Sequence, residues 1–428
     1  MKKAIIIGSG AGGATAAKEL QGKYEVTVLE EGGEFHPSTI NLSMLEKFRK
    51  TGLLFNERLI QMVFPFMNVK KTSDKVVLVY GIGTGGTTVI STANAVRKDR
   101  HLKEIGINLD GEFTELAEEI PISTDHQKRW RENTRNVYEI CQDMGLEPAV
   151  TPKMGDLNNC IKCGRCILGC QQGVKWDSRQ FLNQAIEKGA WLVTGCRVQK
   201  IIIEKGRATG VEAVTRWKRR FYPADLVILA AGGLGSPVIL QNSGIECQAN
   251  LFVDPVLCVA TRWDNCRQYQ DITMPFIVQS EHFILSPYFD YLSFFFNKRW
   301  KYRAQDIFSL QIKLADANLG SVSRKGIQKT LTTRDKERLN EGVNTCTDIF
   351  SRLGTKSEGI FLGTVNAGHP GGMLPLTEKE SDTLHHDKLP RNLYVADATL
   401  IPNSLGNPPS LEIMALAKRI SKICSEYA

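Results

Sequence analysis

An α/β fold is predicted by three features of the 428-residue sequence. A β-branched run, Lys3-Ala4-Ile5-Ile6-Ile7, feeds into Gly8-Ser9-Gly10-Ala11-Gly12-Gly13. A small-residue helix, Ala14 to Leu20, follows the glycines, and a second apolar strand, Glu25 to Leu29, closes on Glu30. Far downstream, Asp225 to Gly233 and Asn392 to Asp397 are again apolar strands that run into a glycine pair or an acid. Strands separated by helices and turns of this kind define the α/β class.

The first thirty residues carry the chemistry of a Rossmann-type dinucleotide site. Gly8 allows the tight turn, Gly10 lets the backbone approach a diphosphate, and Gly13 lets the helix pack on the sheet. The helix N-terminus offers unpaired N–H groups to that diphosphate. Glu30 stands twenty residues after Gly10, where a carboxylate accepts the hydroxyls of the adenosine ribose. An acid there suits an unphosphorylated ribose, so FAD or NAD rather than NADP. An ordinary glycine turn is the competing reading, and the strand–turn–helix–strand–acid context favours the dinucleotide.

Composition sets the outer limits. Hydrophobic residues make up 42% and charged residues 23%, as in a soluble globular protein. The net charge of +8 is too mild and dispersed for nucleic acid and suits an acidic protein partner. No apolar run reaches the ~18 residues of a membrane span, and a strand beginning at Lys3 leaves no room for a signal peptide. Eleven cysteines, four of them tightly grouped, favour metal binding in a reducing compartment over a disulfide scaffold, so the expected location is cytoplasmic.

Taken in order, Asn41 to Lys50 reads as a short amphipathic helix and Lys75 to Tyr80 as a strand. Gly81-Ile82-Gly83-Thr84-Gly85-Gly86-Thr87-Thr88 follows. So much glycine after a strand implies a second close backbone approach to a ligand, with Thr87, Thr88 and Ser91 as hydroxyl donors; a surface loop is the alternative. Helical patterns over Phe113–Ile120 and Arg129–Met144 lie in a polar lid or connecting excursion. Ser178–Lys188 reads as helix, and Trp191–Thr194, Arg197–Glu204 and Gly210–Val214 as strands. Arg216-Trp217-Lys218-Arg219-Arg220 reads as a solvated hairpin, with docking of an acidic ferredoxin as the alternative. Asn250 to Phe361 mixes short alternating strands with a helix near Arg334–Leu353. The aromatic stretch Phe283–Tyr302 is expected in a sheet core rather than a substrate wall. Leu411 to Cys424 forms a final amphipathic helix behind Pro408 and Pro409. A discontinuous dinucleotide-binding domain, for FAD or NAD, is expected over 1–100, 155–245 and 375–428, with the excursion at 101–154. A reduced α+β substrate domain on a mostly antiparallel sheet takes 246–374.

These motifs resemble the glucose–methanol–choline (GMC) family of FAD-dependent oxidoreductases. Gly85-Gly86-Thr87-Thr88 is similar to that family's Gly-Gly-Ser-Ser flavin loop. Asp225 to Ser236 is similar to its strand-to-flavin segment with the Ala-Ala-Gly step. Asn392 to Ala417 carries its Asn-Leu-(Tyr/Arg)-Val-x-Asp-(Ala/Gly) pattern, a proline, then Asn-Pro and a helix. The resemblance covers both ends and the middle of the chain and is weak from Asn250 to Phe361. It implies an FAD site built from Gly8, Gly10, Gly13, Glu30, Gly85, Gly86, Thr87, Ala231, Gly232, Asp397 and Pro408. The chain is shorter than typical members, which implies a reduced substrate domain and leaves room for a small partner subunit to complete it.

The resemblance also implies a catalytic pair. Gly368-His369-Pro370-Gly371-Gly372 matches the family's histidine before a glycine-rich turn, and Asn407-Pro408 its later Asn-Pro loop. Alcohol oxidation needs such a pair, because the O–H proton must leave as the C–H hydride moves to the flavin. A neutral imidazole at His369 can take the proton. The Asn407 amide can hydrogen-bond the substrate oxygen without competing for it.

Cys160-x2-Cys163-x2-Cys166-x3-Cys170 has the spacing of a bacterial ferredoxin run. A 4Fe-4S cluster is expected, with 3Fe-4S or structural zinc as alternatives and either Cys170 or a remote cysteine as fourth ligand. A flavin takes two electrons as a hydride and a cluster passes them singly. The chain therefore reads as an FAD-dependent dehydrogenase of an alcohol, a sugar or polyol among the candidates, that hands electrons to an acceptor protein, ferredoxin-like or another subunit. A ferredoxin-dependent reductase of a carbonyl or double bond, and a non-catalytic electron-transfer subunit, are the alternatives.

Overall fold

The structure is a computed structural model that describes residues 1–40, 46, 47, 49 and 59–426. The helix expected over Asn41 to Lys50 therefore lies almost wholly outside the described residues. A five-stranded parallel sheet runs in the order Leu393–Val395, Leu226–Leu229, Lys3–Ile7, Glu25–Leu29, Trp191–Val193. Ile6 faces Ile228 on one side and Val28 on the other, and all three are fully buried. Continuous apolar strands of this kind are what a parallel sheet covered on both faces requires.

The helix Ala11–Leu20 returns from the first strand and packs against the final helix, Ser410–Ser425, and against Arg179–Glu187. Its buried Gly12, Gly13, Ala14, Ala16 and Ala17 bring the helix backbone close to its neighbours. A Cβ on Gly12 would lie 1.6 Å from the Ala396 carbonyl oxygen, and one on Gly13 would lie 2.0 Å from that of Gly8. We expect Gly12→Ala to cost more than the ~1–3 kcal/mol of ordinary overpacking, because both clashing groups are backbone. A thermal melt should show the loss, together with reduced FAD retention; an unchanged melting temperature would contradict this packing.

The second sheet has nine strands and is antiparallel except where Asn366–Ala367 meets Val77–Gly81. Met67–Lys71 and Val77–Gly81 belong to this sheet rather than to the parallel one, although they sit early in the chain. On the central strand Ile307–Leu314, Phe308, Leu310, Ile312 and Leu314 join the core beneath the helix Thr333–Arg352. Alternation along the strand turns Ser309, Gln311 and Lys313 to the other face, where they are also buried.

The aromatic stretch Phe283–Tyr302 is strand only over Phe283–Pro287. Beyond it Asp290 caps a short helix, Tyr291–Phe296, by accepting from the Ser293 N–H at 3.2 Å. Phe289, Tyr291, Phe294, Phe295 and Trp300 then pack with Phe35 and Leu168, the latter from the cysteine loop. The basic run is a hairpin turn, as expected. Thr215 pairs with Lys218 across Arg216 and Trp217, whose φ values of 48° and 68° are those of a type I′ turn.

Candidate active site

The two glycine loops meet backbone to backbone. Gly8 has φ +96°, and a Cβ there would strike the Ala230 carbonyl at 2.4 Å. A Cβ on Gly10 would meet only the Gly86 Cα, at 3.9 Å, so this position stays open for a close approach. Gly86, at φ +53°, could carry no Cβ without coming within 2.9 Å of the Gly10 Cα. Thr87 places its hydroxyl on the Gly81 N–H at 3.2 Å, which shapes the second loop. This paired glycine cradle, with the N-terminus of Ala11–Leu20 behind it, fits a dinucleotide diphosphate.

Glu30 is buried and accepts from the Ser9 hydroxyl (2.6 Å), the Ser9 N–H (3.0 Å), the Gly32 N–H (2.9 Å) and the Gly83 N–H (3.1 Å). It thus ties the first loop to the second. Burial pushes its carboxyl above the ordinary range, against the pull of those donors. Asp397 works the same way at the other end, accepting from the Gly232 N–H and the Thr399 N–H, each at 2.8 Å.

Ala231 and Gly232 open the helix Gly232–Asn242, and its Gly233 lies against the histidine turn. A Cβ on Gly233 would be 1.9 Å from the Pro370 carbonyl oxygen. Gly371 exchanges backbone hydrogen bonds with Phe252 at 3.1 and 3.2 Å, and Gly372 donates to the Ala398 carbonyl at 3.0 Å. The turn that carries His369 is therefore fixed against the Ala231–Gly232 and Asp397 segments.

His369 keeps 25% of its side-chain surface accessible, yet its Nδ1 is buried with no hydrogen-bond partner. The Asp254 carboxylate lies 3.8 Å from that nitrogen. Burial, and secondarily the Lys313 charge, hold the imidazole well below its usual pKa, so it is neutral at physiological pH. Asn407 is buried. Its amide nitrogen donates to Gln279 Oε1 and the Leu405 carbonyl, each at 3.3 Å, while its Oδ1 has no partner. Pro408 follows, and the final helix starts at Ser410.

Beneath the pair lies a network the sequence did not reveal. Lys313 pairs with Asp254 at 2.5 Å and Lys329 with Asp316 at 2.7 Å, all four groups being essentially inaccessible. Ser404 donates to Asp254, and the Gly406 N–H donates to the same oxygen at 3.3 Å. His369 and the Asn407 loop are thus joined through one carboxylate. Asp254 followed by a proline at the mouth of a strand was the only sequence signal, and it is a weak one.

Cys160, Cys163, Cys166 and Cys170 line a single cavity with Lys153, Lys175 and Arg165. Among the described residues, no three of these sulfurs come within 4.8 Å of one another. Burial raises the Cys160 thiol to about 11 and lowers the Lys153 ammonium to about 7. Lys153 is buried and donates to Asn94 Oδ1 and to the Thr92 and Thr273 carbonyls. Lys175 donates to the carbonyls of Thr88, Val89 and Ser91 in the second glycine loop, and to that of Cys166. On the outer side, Ile161 is 61% exposed. The cavity therefore sits between the glycine loops and the surface. No described helix is long and apolar enough to cross a membrane.

A family model described as GMC oxidoreductase matches residues 3–256. An uncharacterized protein of Methanocaldococcus jannaschii is 27% identical over 418 residues, 97% of each chain. A long-chain-alcohol oxidase of Arabidopsis thaliana is 26% identical over 286 residues, which is 59% of this chain and only 36% of that longer relative. Pyridoxine 4-oxidase from Mesorbium loti matches with a TM-score of 0.71 over 99% of both chains at 15% identity, and so shares the fold.

Proposed function

The chain belongs to the GMC oxidoreductase family, and from that membership and the site geometry we propose that it is an FAD-dependent dehydrogenase of an alcohol. The observation that carries the reading is the pairing of His369, neutral with an accessible ring edge, and Asn407, with an unpartnered amide oxygen, on one buried carboxylate. FAD, when bound, supplies the acceptor for the substrate's C–H hydride. Gly8, Gly10, Gly13, Gly85, Gly86 and Thr87 would hold its diphosphate side, with Glu30, Ala231, Gly232, Asp397 and Pro408 fixing the loops around it. His369 takes the hydroxyl proton. Asn407 orients the substrate oxygen, and the N-terminal end of Ser410–Ser425 favours negative charge nearby.

The cysteine cavity extends this reading to an iron–sulfur relay. The ferredoxin-type spacing of Cys160, Cys163, Cys166 and Cys170 on one cavity supports a polynuclear cluster, with Cys170 as fourth ligand, 4Fe-4S in preference to 3Fe-4S. A cluster, when bound, passes electrons one at a time. The buried lysines then face an anionic group rather than neutral thiols. The exposed rim at Ile161 gives a protein acceptor a route to within a few residues of the cysteines.

The test is an anaerobic absorption spectrum with iron and sulfide assays, before and after addition of a panel of alcohols. Bleaching of flavin by one alcohol class, with about four irons per chain, is the expected result. Intact FAD that no alcohol bleaches would remove the dehydrogenase, and zinc without sulfide would remove the relay.

A further inference from the structure

We infer that Asp254 is the positioning residue for both halves of the catalytic pair: one carboxylate oxygen holds the loop that carries Asn407, and the other sets the orientation and tautomer of His369. The inference rests on the role proposed above for His369 and adds to it the group that makes the histidine a base.

The geometry divides the carboxylate cleanly. Oδ1 accepts from the Ser404 hydroxyl and from the Gly406 N–H, the residue before Asn407. Oδ2 accepts from Lys313 Nζ at 2.5 Å and faces His369 Nδ1 at 3.8 Å. The backbone beneath is pinned separately. Asp316, paired with Lys329, accepts from the Val253 and Asp254 N–H groups. Asp254 itself sits at φ 52°, a left-handed conformation that non-glycine residues avoid. Such a backbone persists where surrounding contacts over-determine it, and it clusters at functional sites.

Within this network His369 Nδ1 is buried without a hydrogen-bond partner. Its nearest acidic neighbour is an oxygen that can only accept. The stable arrangement puts the ring proton on Nδ1, facing Asp254, and leaves the Nε2 lone pair toward the accessible edge. The substrate hydroxyl proton then goes to Nε2, and the Nδ1–H is drawn toward the carboxylate 3.8 Å away as positive charge develops on the ring. The same Oδ2 also accepts from Lys313 Nζ, so the carboxylate faces two cation-forming groups. The same logic of a buried acid that orients a histidine without taking its proton operates in catalytic triads. Lys313 supplies the opposing influence: with the ring uncharged, its cation keeps the histidine from protonating prematurely.

The experiment uses the holoenzyme labelled with nitrogen-15 histidine, the His369 signals being identified by their loss in His369→Asn. Wild type is expected to show a protonated Nδ1 and a bare Nε2. Asp254→Asn is expected to lose that preference and to slow alcohol-driven flavin bleaching by about 100-fold or more, as a wrong tautomer does in a triad. Asp254→Asn combined with Lys313→Met removes both charges at similar volume, so no unpaired lysine remains to unfold the site. If Asp254 merely neutralised Lys313, this double variant would recover the wild-type tautomer and rate, and the inference would fail. Continued loss of both in the double variant supports it. A wild-type proton on Nε2, or an unchanged tautomer in Asp254→Asn, also overturns it. The nitrogen signals need no substrate. Absence of bleaching by every alcohol in wild type would therefore sink the dehydrogenase reading while the tautomer result still decides the role of Asp254.

Discussion

Replacing His369 with alanine is expected to slow alcohol-driven flavin bleaching by about 10²–10⁴-fold, the range for loss of a positioned general base, with FAD content unchanged. The retention of FAD follows from the structure. The side chain of His369 makes no hydrogen bond to the glycine loops, and its turn is held by backbone bonds to Phe252 and Ala398 that alanine keeps. The pH dependence provides a second signature. A histidine whose pKa lies well below its usual value remains a base on both sides of neutrality, and loses that role only when the pH falls through the depressed value. The bleaching rate should therefore stay flat from about pH 8 down past the usual histidine pKa near 6.5. A rate that halves near that usual value would identify a solvated base elsewhere. An undiminished rate in the alanine variant would do so directly.

What the sequence made legible was local. The glycine cradle declared itself because a tight turn, a close backbone approach and a helix packed on a sheet each demand glycine at a fixed offset. His369 and Asn407 stood in short motifs, and the four cysteines within eleven residues. Gly12 shows the limit of such reading. The pattern assigns the packing role to Gly13, yet the closest backbone contact in this helix belongs to Gly12, because the strand end at Ala396 comes from almost four hundred residues away. The charge network escaped for the same reason. Asp254, the Lys313–Asp316 stretch and Lys329 lie on three separate segments, and a lysine at an alternating strand position looks like an ordinary solvated face. Only the assembled sheet shows that this face is covered. Lys153 is the same case, a polar residue in a polar stretch that the fold turns inward. Lys175 was nearer to view, five residues beyond Cys170, but its bonds to Thr88, Val89 and Ser91 depend on a loop that strand pairing brings alongside. The strand expected over Lys75 to Tyr80 forms at Val77–Gly81, but its sheet is not legible, since neighbours in sequence say nothing of its pairing with Asn366–Ala367.

Cys166→Ser should abolish the relay while sparing the alcohol step. Iron and sulfide are expected to fall from about four per chain to background, and reduction of a one-electron acceptor protein to be lost. Bleaching of flavin by the alcohol should persist within a few-fold, because His369, Asn407 and Asp254 lie on other segments. A stability cost is expected as well. Lys153 and Lys175 are both buried against this cavity, Lys153 beside Cys166 and Cys160, and Lys175 beside Cys166, Asp177 and Cys170. Losing the anionic partner of a buried cation costs about 3–5 kcal/mol when it is left uncompensated. Here the lysines can deprotonate instead, so the observed loss should fall below that range and grow as the pH drops. The sign follows from the pKa direction. With its folded value lowered to about 7, Lys153 binds its proton more readily in the unfolded chain. Acidification from about pH 10 to 7 therefore favours unfolding in the cluster-free variant, and the effect levels off below the folded value. Adding Lys153→Met to Cys166→Ser should restore part of the stability and flatten its pH dependence without restoring iron. If the single variant kept its iron, or if the methionine made matters worse at neutral pH, the cavity would not be the counter-charged seat of an anionic cluster.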